Sequence, residues 1–174
     1  MKVLLIIAQV GFQDVEYKNT RKVLEENRIE VETASISKET AKGKYGMELV
    51  PDTTVKDAIL DGYDMIVVIG GPGAPKLAEY EEVMDLLKRG DGKKRLIGAI
   101  CIAPAILAKA GILKGKRATV WTSKENKEAI EIIEEHGAEF VDEPVVVDGR
   151  IITANGPEAA EDFGKGIVEM IKGR

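Results

Sequence analysis

Alternating strands and helices predict a single α/β domain over residues 1–174, a three-layer α/β/α sandwich with helices on both faces of a mostly parallel central sheet. Three observations carry this expectation. Val3–Ala8, Met65–Ile69 and the run from Leu96 to Ile100 are continuously apolar, as strands buried on both faces are. Segments with helical spacing lie between them. No linker, internal repeat or low-complexity tract divides the chain.

The elements follow in order. Val3–Ala8 reads as a buried first strand; it is apolar but lacks the basic lead and cleavage site of a signal peptide. A helix runs from about Asp14 to Asn27, with Asp14 as N-cap and Val15, Val23 and Leu24 as its apolar stripe. Ile29–Ala34 alternates and forms the next strand. Lys42–Val50, punctuated by Gly43 and Gly46, reads as a short hairpin or edge excursion ahead of Pro51. Val55–Leu60 reads as a short helix. Met65–Ile69 is a buried strand that empties into Gly70-Gly71-Pro72-Gly73-Ala74-Pro75. A helix near Glu81–Arg89 leads to the apolar strand ending at Ile100, and Pro104–Ala110 is the helix after it. Gly111 and Gly115 break the chain before a strand at Ala118–Trp121. Lys124–His136 has helical spacing and stops at Gly137. Val145–Val147 and Arg150–Ala154, joined by Asp148-Gly149, form a hairpin. The last helix runs from about Pro157 to Ile171, with proline in its first turn.

Composition removes several function classes. A net charge of −5, with 25 basic residues dispersed among 30 acidic ones, gives no general attraction to nucleic acid or to an anionic membrane. No segment approaches membrane-spanning length. One cysteine forms no internal disulfide, which fits a reducing, cytoplasmic setting. The wealth of Lys and Glu, with few Gln, Cys and His, points to a thermophilic source. Nothing in the sequence calls for a cofactor or a metal.

Ligands of such folds gather outside the carboxyl ends of the strands. Three segments converge there: Gln9 to Glu16, the glycine loop after Ile69, and the corner at Cys101. A cysteine within a strand packs as a small hydrophobe. Cys101 stands at a strand end, and Pro104 independently marks the helix that follows. A strand-to-helix corner presents its central side chain as a nucleophile elbow does, with helix-start amides facing it, so the thiol is expected to have a lowered pKa. The glycine loop is neither a P-loop nor a dinucleotide fingerprint. Gly70 and Gly71 either make a structural turn or bring bare backbone N–H groups to a developing negative charge. Glu16 and Asp14, two positions apart on one helix, face different ways, one toward solvent and one toward the strand ends. Glu16 is thus either an acid complementing the helix dipole or an inward carboxyl. Buried, it would stay protonated and hydrogen-bond the Cys101 thiolate. His136, the single histidine, ends a helix beside Gly137 and reads as a C-cap.

Taken together, Phe12-Gln13-Asp14-Val15-Glu16, Ile69-Gly70-Gly71, Gly98-Ala99-Ile100-Cys101 with Pro104, Ala110-Gly111-Ile112-Leu113-Lys114-Gly115, Val145-Val146-Val147-Asp148-Gly149 and Gly156-Pro157 resemble the ThiJ/PfpI (DJ-one) superfamily over essentially the whole chain. The resemblance implies a flavodoxin-like sandwich, homodimers or higher homo-oligomers, and an elbow cysteine paired with a glutamate of the first helix. Those two map onto Cys101 and Glu16, and the oxyanion-hole amides onto Gly71 and Ile102. The chain also departs from the family's peptidase branch. Ile102 and Ala103 replace the histidine and glycine after the cysteine, Lys76 stands in place of an acid after Ala74-Pro75, and Gln13 replaces the first acid of the helix. Two members of the presumed Cys-His-Glu triad are therefore absent, which argues against an intracellular peptidase. Trp121 occupies a position where the glyoxalase-like and redox-sensing branch often has histidine; it either packs or walls a pocket, and it moves no protons at neutral pH. The expected function is a stress-response enzyme acting on small reactive carbonyls, glyoxalase- or deglycase-like or a related hydrolase. Catalytic Cys101 and Glu16, oxyanion-hole Gly71 and Ile102, and pocket residues Gly70 and Trp121 form its site. The alternative is an oxidation-sensing or chaperone-like oligomer without turnover.

Overall fold

A computed structural model describes residues 1–174. In chain order its strands and α-helices are β1 (Lys2–Ile6), β2 (Val10–Phe12), α1 (Asp14–Glu26), β3 (Glu30–Ser35), β4 (Ala41–Gly43), β5 (Glu48–Leu49), β6 (Thr53–Thr54), β7 (Met65–Val68), α2 (Glu81–Gly92), β8 (Leu96–Ile100), α3 (Pro104–Lys109), β9 (Arg117–Ala118), α4 (Glu128–Glu135), β10 (Glu139–Phe140), β11 (Val145–Asp148), β12 (Ile151–Ala154) and α5 (Ala160–Lys172). Seven strands form the central sheet in the order β11-β12-β8-β7-β1-β3-β6. Only the β11–β12 hairpin is antiparallel. This is the mostly parallel α/β sandwich that the alternation predicts, of the flavodoxin-like type that the family resemblance implies.

The layers follow from side-chain alternation along each strand. On β8, Ile97 points toward Gly90 of α2, while the next residue, Gly98, opens toward Phe163 of α5. Helix α5 lies against α1, where Gly164 leaves room for Val23. One face of the sheet is thus covered by α1 and α5 and the other by α2. Strands β1, β7 and β8 are buried almost throughout, as their unbroken apolar runs require.

Register places the functional loops. Ile6 pairs with Val68, and Val68 with Ala99. Two residues further on, Gly70 and Cys101 leave neighbouring central strands at the same height. The loop after β1 leaves from the strand on the other side of β7.

Several boundaries differ from expectation for identifiable reasons. Residues 55–60 form a turn, with a 3₁₀ helix only at Leu60–Gly62. Gln13, not Asp14, caps α1: its side-chain oxygen accepts from the amides of Val15 and Glu16. Val15 is 41% exposed, so the inner face of α1 runs through Glu16, Tyr17, Thr20, Val23 and Leu24 instead. The segment 118–121 is regular strand only at its start, where β9 pairs with β10. Helix α4 begins at Glu128, four residues later than the spacing suggests. The excursion after β3 is real: β4 and β5 join β2 in a separate three-stranded sheet.

Candidate active site

Cys101 follows the last residue of β8 with φ +64°, a left-handed conformation uncommon for a residue with a Cβ. Such a conformation costs on the order of 1–3 kcal/mol and persists only where neighbours enforce it. Here they do. The Cys101 amide donates to Ala154 O at 2.9 Å, and its carbonyl accepts from the Trp121 amide at 2.8 Å. Ala103 N closes the turn onto Ile100 O at 3.1 Å, and Pro104 starts α3. The strand-to-helix corner is therefore held at three points. Cys101 is buried, with 9% of the residue surface exposed.

Glu16 reaches the same place from α1. Position 16 begins the inward stripe of that helix, and the residue has no exposed surface. Its Oε2 accepts from the Gly70 amide at 3.0 Å. Its Oε1 makes no hydrogen bond, and the side chain that bears on the ionisation of the carboxyl is Cys101. Gly70 makes this meeting sterically feasible. A Cβ there would lie 2.5 Å from Cys101 Cβ and 2.7 Å from Glu16 Oε2. Gly71 has φ +114°, and a Cβ on it would run into the backbone of Gly11, Phe12 and Gln13. The amides of Gly71 and Ile102 act on the Cys101 thiol in the sense that favours its ion. Sulfur, carboxyl and two amides thus share one small volume at the carboxyl end of the sheet.

The electrostatics correct one expectation. Burial pushes the Glu16 carboxyl up to about 7, against the smaller pull of Cys101 and the Gly70 amide, which favour the ion. Burial also pushes the Cys101 thiol up, and the neighbouring Glu16 charge pushes it further. The two amides lower it by less. A corner sulfur was expected to ionise early. Instead desolvation and an adjacent carboxylate outweigh two N–H donors, and the carboxyl loses its proton first. Above about pH 7 the pair holds one proton and one negative charge as a unit.

The whole-chain comparison decides the family. Residues 1–170 match the DJ-1/PfpI family. The chain belongs to the DJ-1/PfpI family. An uncharacterised protein of Methanocaldococcus jannaschii is 38% identical over 98% of this chain and 82% of its own length. A Caenorhabditis elegans protein named glutathione-independent glyoxalase is 34% identical over 98% of this chain and 88% of its own. Among solved structures, a ThiJ/PfpI domain protein from Brachyspira murdochii superposes with a TM-score of 0.92 at 26% identity, covering 99% of this chain and 97% of that one.

Within this DJ-1/PfpI chain the remaining candidate residues are distributed as follows. Trp121 is half-buried and abuts the corner through the hydrogen bond its backbone N–H donates to Cys101 O. Ile102 lines a recess of about 140 Å³ together with Pro75, Ala105, Ile106, Lys109 and Ile132. Cys101 does not line that recess. His136 is exposed at the C-cap of α4, with Nδ1 2.8 Å from Ile132 O, so no imidazole serves the sulfur. Two residues near the site were missed. Gln13 is the cap described above. Asp14 is buried rather than turned to solvent, and its Oδ2 accepts from the amides of Tyr45 and Met47 in the β4–β5 turn.

Proposed function

We propose that this protein is a cysteine-dependent enzyme acting on small reactive carbonyls of the α-oxoaldehyde type, in a stress-response role. The observation that carries the reading is the pairing of a strained elbow thiol with a fully buried carboxyl whose pKa sits at about 7. A base with a pKa near working pH is best matched to proton transfer. In the first step the Cys101 sulfur forms a bond to the aldehyde carbon while the carbonyl electron pair moves to oxygen. Glu16 takes the thiol proton, and the Gly71 and Ile102 amides stabilise the oxyanion. Return of the proton from Glu16 to that oxygen gives a hemithioacetal. Glu16 then serves as the base for moving the proton between the two substrate carbons. That shift, through an enediol, leaves a lactyl thioester on Cys101; water then adds to its carbonyl and the carbon–sulfur bond breaks, the sulfur regaining its proton, so conversion of methylglyoxal to lactate consumes one water and needs no redox partner. Support comes from the relative named as a glyoxalase and from the absence of any imidazole near the sulfur, which disfavours a peptidase.

The reading includes a homo-oligomer working in the cytoplasm. Val10, Val15 and Tyr45 are 68%, 41% and 67% exposed. They belong to β2, the start of α1 and the β4–β5 turn, and exposed apolar side chains of this kind suit contact with a second copy of the chain. A second chemical reading uses the same pair. Hydrogen peroxide would oxidise the thiol to a sulfenic acid, releasing water, with the protonated Glu16 carboxyl hydrogen-bonding the product.

Turnover of methylglyoxal to lactate by the wild type tests the enzyme. Loss of turnover in both Cys101→Ala and Glu16→Gln supports it; equal rates in all three proteins overturn it. Intact mass after peroxide tests the second reading, which requires a gain of about 16 or 32 Da on Cys101.

A further inference from the structure

The glycine loop is gripped from both sides by the first turn of α1. Glu16 Oε2 accepts from Gly70 N at 3.0 Å. Gln13 N donates to Gly70 O at 2.9 Å. The same Gln13 turns its side-chain oxygen back onto the helix, accepting from Val15 N at 2.6 Å and Glu16 N at 3.0 Å. One residue therefore fixes the loop that presents the Gly71 amide and the turn that presents the Glu16 carboxyl. Gln13 is itself buried, at 6% exposure.

Its chemistry is unusual for that position. Serine, threonine, aspartate and asparagine are the preferred caps, and a carboxylate would gain from the helix dipole. This chain uses a long neutral amide. The groups facing Glu16 explain what neutrality achieves. From the elbow comes Cys101; from the glycine loop come only backbone amides; from its own helix, Asp14 turns to the amides of Tyr45 and Met47. An anion at position 13 would be a further charge held against the Glu16 amide in a site with no water-exposed carboxyl.

We propose that Gln13 is a positioning residue: it locks the first turn of α1 onto the glycine loop so that Glu16 meets Cys101, and its neutral amide keeps a further negative charge away from that pair. This rests on reading Glu16 and Cys101 as the reacting pair. A purely structural cap would work equally well with an amide or a carboxylate. A positioning cap that also sets the charge would not.

The test is the pH dependence of Cys101 alkylation by iodoacetamide in the full-length protein, with folding checked by circular dichroism. Gln13→Asn keeps a neutral cap, and its inflection stays with the wild type. Gln13→Glu and Gln13→Asp keep a capping oxygen and add a charge, and each moves the inflection upward by about half a unit or more. The proposal is overturned if a folded charged variant titrates with the wild type, or if Gln13→Asn moves the inflection as far as Gln13→Asp does. Alkylation needs no turnover. Failure of the carbonyl reaction with the inflection still responding to charge at position 13 would therefore count against the proposed function and not against Gln13.

Discussion

A fully buried carboxyl without a cationic partner works against the fold that contains it. Glu16 is raised from 4.5 to about 7 by burial. Because ionisation is disfavoured in the folded state, the native protein binds more protons than the unfolded chain between those two values. Stability is therefore highest below about pH 4.5 for this group and falls as pH rises to about 7. A shift of that size corresponds to a penalty of about 3 kcal/mol at pH 8, as an upper bound. Glu16→Gln keeps an acceptor for the Gly70 amide and removes the charge, so it is expected to raise stability at pH 8 by about 1–3 kcal/mol while abolishing activity. Urea unfolding at pH 5 and pH 8 checks this: the wild type loses stability between the two pH values and the variant does not. At this scale the sequence was partly legible. Cys101 could be placed because a strand end and a proline bracket it, whereas helical position left Glu16 either at the helix dipole or turned inward, and only the family resemblance paired it with the cysteine. The ionisation order was not legible, since it depends on how completely water is excluded from both groups.

At the scale of elements, the first turn of α1 links three pieces of backbone. Glu16 and Gln13 hold the glycine loop, and Asp14 holds the β4–β5 turn through the Tyr45 and Met47 amides. Asp14 Oδ1 fills the space where a side chain at Gly43 would begin. Gly43→Ala is expected to push the two apart and cost about 1–3 kcal/mol, measured by urea unfolding, with faster amide exchange at Tyr45 and Met47. Unchanged stability and exchange would show that the turn and α1 are not coupled. The apolar strands were readable because parallel strands buried on both faces have no alternative pattern. The stripe of α1 was misplaced because Val15 is apolar yet exposed, while a glutamate and a threonine on the inner face carry no hydrophobic signal. Short strands such as β2, β6 and β9 have two or three residues each and no period to detect.

For the whole molecule, the parallel order β8-β7-β1 at the sheet centre brings distant parts of the sequence to one rim. Position 16, positions 70 and 71, and position 101 meet because strand register sets their heights. The alternation of elements was enough to predict this convergence. The surface was less legible, because an exposed apolar residue signals assembly only when its neighbours in space are known. With Val10, Val15 and Tyr45 exposed and proposed to meet a second copy, Tyr45→Asp is expected to lower the molar mass measured by light scattering at micromolar concentration. An unchanged mass would place the interface elsewhere or show that the chain is monomeric.

The central claim is that Cys101 and Glu16 share a proton. The pH dependence of Cys101 alkylation, compared between the wild type and Glu16→Gln, tests it most directly. The account predicts an inflection near pH 7 in the wild type that disappears in the variant. A single inflection at about 8.5, the value of a free thiol, in both proteins would contradict it.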